Sequence, residues 1–98
     1  MLISKGPTVG GVVTLKLVTG EEIIGKLESD STDDMYYGIS RPLTLVMSQK
    51  GIGLQPWLFT VDTDKTIKFP KDKVMIIAET MDDMSKSYLQ GTTGIALS

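Results

Sequence analysis

The sequence contains no cysteine and no histidine. The lack of cysteine excludes disulfides, a thiolate nucleophile and thiolate metal ligands within the chain. The lack of histidine removes the commonest general base and the commonest metal ligand of proteins. The sequence also contains no phosphate-binding glycine loop and no recognisable nucleophile motif. The sequence therefore predicts a protein that is not an enzyme, with no cofactor and no bound metal.

Long hydrophobic runs and an excess of positive charge are also missing. No apolar run approaches the roughly 20 residues of a membrane-spanning helix, so we expect no membrane partner. The opening residues 1–11 lack the apolar core of a secretory signal, so we expect a cytoplasmic location. The 10 basic residues against 12 acidic ones give a net charge of -2. Any binding of nucleic acid must therefore be local.

The composition is that of one small folded domain. The chain has 98 residues, 41% of them hydrophobic, which is enough for a single core. A domain of this size buries only a modest share of its surface, so association with copies of itself would cover more apolar area. We divide the chain into an irregular lead-in at 1–11, a β-domain at 12–79, a helix at 80–90 and a flexible tail at 91–98.

Alternation of apolar and polar residues predicts a mainly β protein. Within the second apolar run, Gly25 permits a sharp bend or a close approach of another backbone. Pro42 interrupts the third run and is interpreted as a bulge or an edge position, because proline cannot donate to a ladder. The predicted strands are about 12–18, 22–28, 35–47, 54–61 and 73–79, with a short strand at 66–69 that would continue the hairpin.

Two features stand at the end of the chain. Residues 74–77 are apolar on both faces of the predicted last strand, so both faces should be covered, one of them by a neighbouring subunit. Residues 80–90 change to a spacing of three to four, which predicts a short helix that docks through Met81 and Met84.

Residues 12–30, VVTLKLVTGEEIIGKLESD, resemble the first motif of the Sm-like (LSm) family, apolar-x-Leu-x-x-Gly-x-x-apolar-x-Gly-x-Leu. The matching positions are Leu17, Gly20, Ile23 or Ile24, Gly25 and Leu27. The resemblance implies a small, strongly bent five-stranded barrel of the SH3 type. It also implies that the fourth and fifth strands pair with neighbours, which closes a homo-oligomeric ring that we expect to contain five to seven subunits. The interface residues that we predict are Trp57, Phe59, Val74, Met75 and Ile77.

This sequence differs from the family at the main polar positions of the family's RNA pocket. The family holds a base with an Asn after Met and with an Arg-Gly pair in its second motif, whereas here Tyr36 follows Met35 and the residues at 77–78 are Ile-Ala. If single-stranded RNA is bound, we predict that Met35 and Tyr36 bind it, with Arg41 as a nearby charge. Stacking of a base on Tyr36 would contribute about 1–3 kcal/mol.

Two charged clusters could either bind a ligand or simply be exposed to solvent. The aspartates at 30, 33 and 34 resemble a cation site, but without the other EF-hand positions they are more typical of a solvated loop, and they would repel phosphates. The lysines at 65, 68, 71 and 73 would either touch phosphates or solubilise a sheet edge, and the second is favoured.

Two hypotheses follow for the function. The first is a ring-forming Sm-like module that binds RNA or serves as an RNA-associated scaffold with an altered uridine pocket. The second is a structural or protein-interaction ring, for example a phage assembly component, that binds no nucleic acid. The C-terminal helix and the altered pocket are similar to those of bacteriophage Sm-like proteins, and for a phage protein the cytoplasm would be that of the host.

Overall fold

The structure, a computed structural model, describes residues 7–31, 33–62 and 64–92. Its elements are β1 (Val12–Leu17), β2 (Glu22–Ser29), β3 (Tyr36–Ser48), β4 (Gly51–Pro56), β5 (Thr66–Pro70), β6 (Val74–Glu79) and α1 (Asp82–Thr92), with one 3₁₀ turn at Lys71–Lys73. The prediction of a mainly β protein with a short C-terminal helix is confirmed. The helix begins and ends two residues later than predicted, and residues 1–6 and 93–98 of the predicted lead-in and tail lie outside the described residues.

All six strands belong to one antiparallel sheet. The order is β4-β3-β2-β1-β6, and β5 pairs with the first half of β3. Because β2 occupies the other side of β3, β4 and β5 lie end to end along the same side of it. The predicted short strand is present as β5, but within the described residues it pairs with β3 and forms no hairpin with β4. Within the described ranges, no strand pairs with β6 or with β4 and β5 on their outer sides, so the sheet is open and the five-stranded barrel stays a prediction.

The predicted fourth strand at 54–61 is wrong in its bounds. β4 ends at Pro56, and residues 57–61 leave the sheet. The Trp57 N–H donates to the Pro42 carbonyl oxygen at 3.2 Å. Pro42 has no N–H to donate in return, so the ladder stops there and Trp57 and Phe59 lie beyond it.

A bulge divides β3 where Gly25 of β2 approaches it. The pairing steps from Ile24–Leu43 to Lys26–Ser40, so two residues of β3, Arg41 and Pro42, oppose Gly25 alone. A Cβ at Gly25 would collide with a methyl group of Ile39 and lie 3.2 Å from the Ser40 carbonyl oxygen. The predicted bulge at Pro42 and the predicted close approach at Gly25 are both confirmed.

The core lies on one face of the sheet. Its buried side chains are Val13, Leu15, Leu17, Ile23, Leu27, Ile39 and Phe69. They alternate along β1 and β2 with side chains of the opposite face, which we call the outer face. Burial of each such side chain stabilises the fold by about 1.5–3 kcal/mol.

Helix α1 covers part of the outer face and is anchored by Tyr88. The ring of Tyr88 is buried, and its hydroxyl donates to the carbonyl oxygens of Ser40 at 3.1 Å and Arg41 at 2.9 Å. Burial raises the pKa of Tyr88 to about 12. The predicted docking through Met81 is wrong, because Met81 is 67% exposed, whereas Met84 is half-buried. The helix is therefore held to the sheet by Tyr88 at the bulge and not by Met81, which precedes the helix.

Candidate nucleic-acid site and sheet edges

Two turns meet at a surface cavity of about 560 Å³. One turn leads into β3 and the other connects β5 to β6. The lining residues, which we call the turn pocket, are Asp34, Met35, Tyr36, Pro70, Lys71, Asp72 and Lys73. The two turns are held together by the Lys71 N–H, which donates to the Met35 carbonyl oxygen at 2.8 Å, and by the pairing of Tyr36 with Pro70. The walls are therefore fixed by backbone contacts.

The turn pocket presents an aromatic ring and a thioether to solvent. Tyr36 is 45% exposed and Met35 is 76% exposed. The ammonium group of Lys68 lies 5.7 Å from the centroid of the Tyr36 ring. The adjacent Tyr37 points the other way and packs against the core, as the alternation of a strand requires. One tyrosine of the pair is thus exposed and available to a ligand.

The charges around the turn pocket are mixed. The ammonium group of Lys71 lies 3.0 Å from a carboxylate oxygen of Asp30 and donates to the Ser31 carbonyl oxygen at 2.8 Å. Asp34 and Asp72 add negative charge to the lining, and Lys73 adds positive charge. Among the described residues, no group of three or more His, Cys, Asp or Glu side chains is placed to hold a metal ion.

Arg41, the third residue predicted to bind RNA, lies outside the turn pocket. Its guanidinium Nε is 3.2 Å from a carboxylate oxygen of Asp64. It also lines a different cavity of about 490 Å³, beside Tyr88 and α1. The structure therefore brings Met35 and Tyr36 together and places Arg41 at the bulge.

The second wall of the turn pocket was missed in the sequence. The resemblance matches Ile77 and Ala78 with the family's Arg-Gly pair, but both residues lie within β6, paired with β1. The turn that faces Met35 is Pro70–Lys73 instead. Its sequence, PKDK between two apolar runs, has the proline and aspartate that are typical of a turn, and this signal could have identified it.

The five predicted interface residues fall into two groups. Trp57, Val74 and Ile77 are half-buried and pack against the core. Phe59 and Met75 are 78% and 63% exposed and are available to another copy.

Trp57 packs the segment that follows β4, residues 57–61, against the sheet. Its ring stacks on Phe69 with centroids 4.9 Å apart, and its Nε1–H donates to a carboxylate oxygen of Glu21 at 3.3 Å. Hydrogen bonds from the Thr19 hydroxyl and from Trp57 lower the pKa of Glu21. Trp57 is therefore committed to contacts within its own chain.

The outer edges of the sheet carry exposed apolar side chains at both ends. On β6 these are Met75 and Ile76, and on β4 the exposed side chain is Ile52. Exposed edge strands with apolar side chains are templates for pairing with another chain. The last strand, which the sequence predicts to be apolar on both faces, is β6, and in the single chain its side chains Met75 and Ile76 are exposed.

No family model and no curated protein matches this chain. The Sm-like resemblance therefore depends on residues 12–30 and stays a proposal.

Across the described ranges, the one helix falls short of the length and apolar character needed to cross a membrane.

Proposed function

We propose that the protein is a ring-forming, Sm-like module that binds single-stranded RNA in the turn pocket and has no catalytic role. The observation that carries the proposal is the exposed ring of Tyr36, which lies beside Met35 and within 5.7 Å of the Lys68 ammonium group. An exposed ring with lysines around it offers a base a stacking surface and offers the backbone phosphates a counter-charge.

The chemistry of the turn pocket supports a single strand in preference to a duplex. A base must be unstacked before it can lie on a tyrosine ring, and single strands present such bases. The Lys68 side chain is flexible, so its ammonium group can leave the ring for a phosphate when a base takes its place. With Lys71 already paired to Asp30, Lys68 and Lys73 are the lysines best placed to contact phosphates.

The ring part of the proposal is supported by the two open edges of the sheet. β6 lies at one end and β4 with β5 at the other, so the edge of one copy complements a different edge of the next. Such head-to-tail contacts close a ring when the rotation between copies allows it. Closure would also remove edges that otherwise promote aggregation.

The test is native mass spectrometry of the full chain at low salt, alone and with a short uridine-rich RNA. We expect one closed oligomer with RNA bound to it. A monomer at tens of micromolar would overturn the ring, and an oligomer that takes up no RNA would overturn the nucleic-acid part of the proposal.

The substitution that tests the turn pocket is Tyr36→Ala. We expect it to weaken RNA binding about 5- to 150-fold, because stacking on an aromatic ring contributes about 1–3 kcal/mol per base, and to leave the oligomer intact. Fluorescence anisotropy of labelled RNA measures the loss. Tyr36→Phe is the matched control, since it keeps the exposed ring on which a base would stack and removes only the hydroxyl. Equal losses in the two variants would show that RNA does not bind by stacking on this ring.

The second candidate is a structural or protein-interaction ring that binds no nucleic acid. The observation that favours it is the charge of the turn pocket, where Asp34 and Asp72 line the cavity and Asp30 neutralises Lys71. The same spectra distinguish the candidates, because this one predicts the closed oligomer without any RNA adduct.

A further inference from the structure

The hairpin of β3 and β4 beyond the bulge, residues 43–56, turns its apolar side away from the core. We call this hairpin the arm. The bulge shifts the alternation, so that Leu43 pairs with Ile24 of the outer face, whereas Thr44 pairs with Ile23 of the core. The apolar side chains that the pairing places together on the outer side of the arm are Leu43, Leu45, Met47, Ile52, Leu54 and Pro56.

The outer side of the arm is open to solvent at its far end. Leu45 and Leu54 are half-buried, but Met47 and Ile52, which pair with each other, are 79% and 57% exposed. At the near end, Leu45 lines a cavity of about 270 Å³ with Ile24, Met81 and Met84. The arm and the first turn of α1 therefore belong to one apolar surface that the single chain leaves largely uncovered.

Charge is divided unequally between the arm and the region at the start of α1. Residues 42–57 contain one charged residue, Lys50 at the tip, whereas residues 79–83 contain Glu79, Asp82 and Asp83 and no base. These two regions lie at opposite ends of the sheet order, beside β4 and beside β6. Their charges are complementary, and each region would repel a second copy of itself if the acidic or basic groups met directly.

The antiparallel pattern of the sheet determines which ends would meet. Every pair of neighbouring strands in the chain is antiparallel. If β6 of one copy adds to β4 of the next in the same manner, the end of β6 lies beside the start of β4. Only Thr80 and Met81 separate the end of β6 from α1, so Met81 would approach Ile52 and Asp82 would approach Lys50.

From this arrangement we propose that Met81 and the first turn of α1 clasp the arm of the next copy, with Met81 on the apolar side chains at Ile52 and the helix aspartates facing Lys50. The clasp rests on the ring of the proposed function and specifies the partner as a second copy in a head-to-tail contact. The clasp would bury Met81, which is largely exposed in the single chain.

Disulfide cross-linking tests the clasp, because the chain has no cysteine of its own. In the variant Ile52→Cys/Met81→Cys each copy can link to two neighbours. We expect mild oxidation to give a ladder of covalent oligomers on a non-reducing gel that ends at the ring size. Each single variant, Ile52→Cys or Met81→Cys, should stay monomeric on the same gel, because a head-to-tail contact does not bring identical positions together.

The matched control is Gln55→Cys/Met81→Cys. Gln55 is exposed on the same strand but pairs with Thr44, on the core side of the arm. We expect no ladder from this variant. Equal ladders from the two double variants, or a disulfide confined to one chain, would overturn the clasp. Native mass spectrometry of the unoxidised variants separates the failures: a closed ring without the ladder rejects the clasp alone, and a monomer rejects the ring as well.

A charge exchange tests the polar half of the clasp. Lys50→Glu should weaken the oligomer, and Asp82→Lys/Asp83→Lys added to it should restore the wild-type mass distribution at low salt. Lys65→Glu is the control, since it makes the same change of charge outside the arm and should leave the oligomer unchanged. Loss of assembly in the Lys65 variant, or no rescue in the triple variant, would contradict the pairing.

Discussion

The two halves of β3 are one continuous strand with opposite surroundings. The first half, residues 36–40, lies between β2 and β5, sends Ile39 into the core and exposes Tyr36 at the turn pocket. The second half, residues 43–48, sends its leucines to the outer face. The difference arises from the extra residue at the bulge, since a shift of one position moves a whole run of side chains to the other face. One strand thus serves the RNA site that we propose and the assembly surface.

Gly25→Val is expected to disturb the two halves of β3 most, because Gly25 is the residue of β2 that lies against the bulge. The added side chain would collide with Ile39 and press on the Ser40 carbonyl oxygen, which lies 3.2 Å from the position of a Cβ. We expect the free energy of unfolding to fall by about 3 kcal/mol, or the chain to fail to fold. Urea denaturation followed by circular dichroism measures it.

The control for this variant is Gly53→Ala on the arm. A Cβ there meets only a methyl group of Val46, at 3.6 Å, which is an ordinary contact. We expect a change within about 0.5 kcal/mol. Similar losses at the two glycines would show that the close approach at the bulge is not what makes Gly25 necessary.

A smaller effect is expected from Tyr88→Phe, which loosens α1 from the bulge. The phenylalanine keeps the buried ring but leaves the carbonyl oxygens of Ser40 and Arg41 without the hydroxyl, so we expect a loss of about 1–2 kcal/mol. The same denaturation measurement at neutral pH gives the value. No loss would mean that the hydroxyl is not required for the anchor.

The pH dependence of Tyr88 provides a second readout. Burial raises its pKa from 10.0 to about 12, so the unfolded chain ionises first as the pH rises. The contribution of the neutral phenol is complete below pH 10 and is lost progressively up to about pH 12. Over this window the wild type should lose more stability than Tyr88→Phe, and parallel pH profiles would contradict the assignment.

The smallest effect is expected at Arg41, whose backbone has a φ of 51° in the left-handed region. A glycine adopts this conformation without the clash of a Cβ, so Arg41→Gly should be about 1 kcal/mol more stable than Arg41→Ala. Both variants lose the ion pair with Asp64, which makes the comparison a test of the backbone alone. Thermal unfolding of the two variants measures the difference, and the reverse order would show that the bulge relaxes.

The strands and the bulge could be predicted because they depend on local pattern. Alternation along β1 and β2 identifies the core face, and Gly25 with Pro42 marks the place where β2 and β3 approach each other closely. The exposed position of Tyr36 follows from the same alternation. These features need only the period of a strand and the chemistry of glycine and proline.

The rest depends on contacts between distant parts of the chain. The wall of the turn pocket at Pro70–Lys73 meets Met35 only because β5 returns to the first half of β3, whose paired residues lie 26 to 34 positions earlier in the sequence. The helical spacing of Met81 and Met84 predicts a docking face, but it does not show that the bulge places the carbonyl oxygens of Ser40 and Arg41 beside the hydroxyl of Tyr88. The end of β4 at Pro56 likewise reflects the missing donor of Pro42 on the neighbouring strand.

Trp57 is the only tryptophan of the chain, so the tryptophan fluorescence of the protein comes from a single place. That place is the junction where the chain leaves β4, with the indole stacked on Phe69 and bonded to Glu21. Release of this junction would bring the indole into water and shift its emission to longer wavelength. Unlabelled protein therefore carries its own optical probe of the strand edge at which a neighbouring copy would dock.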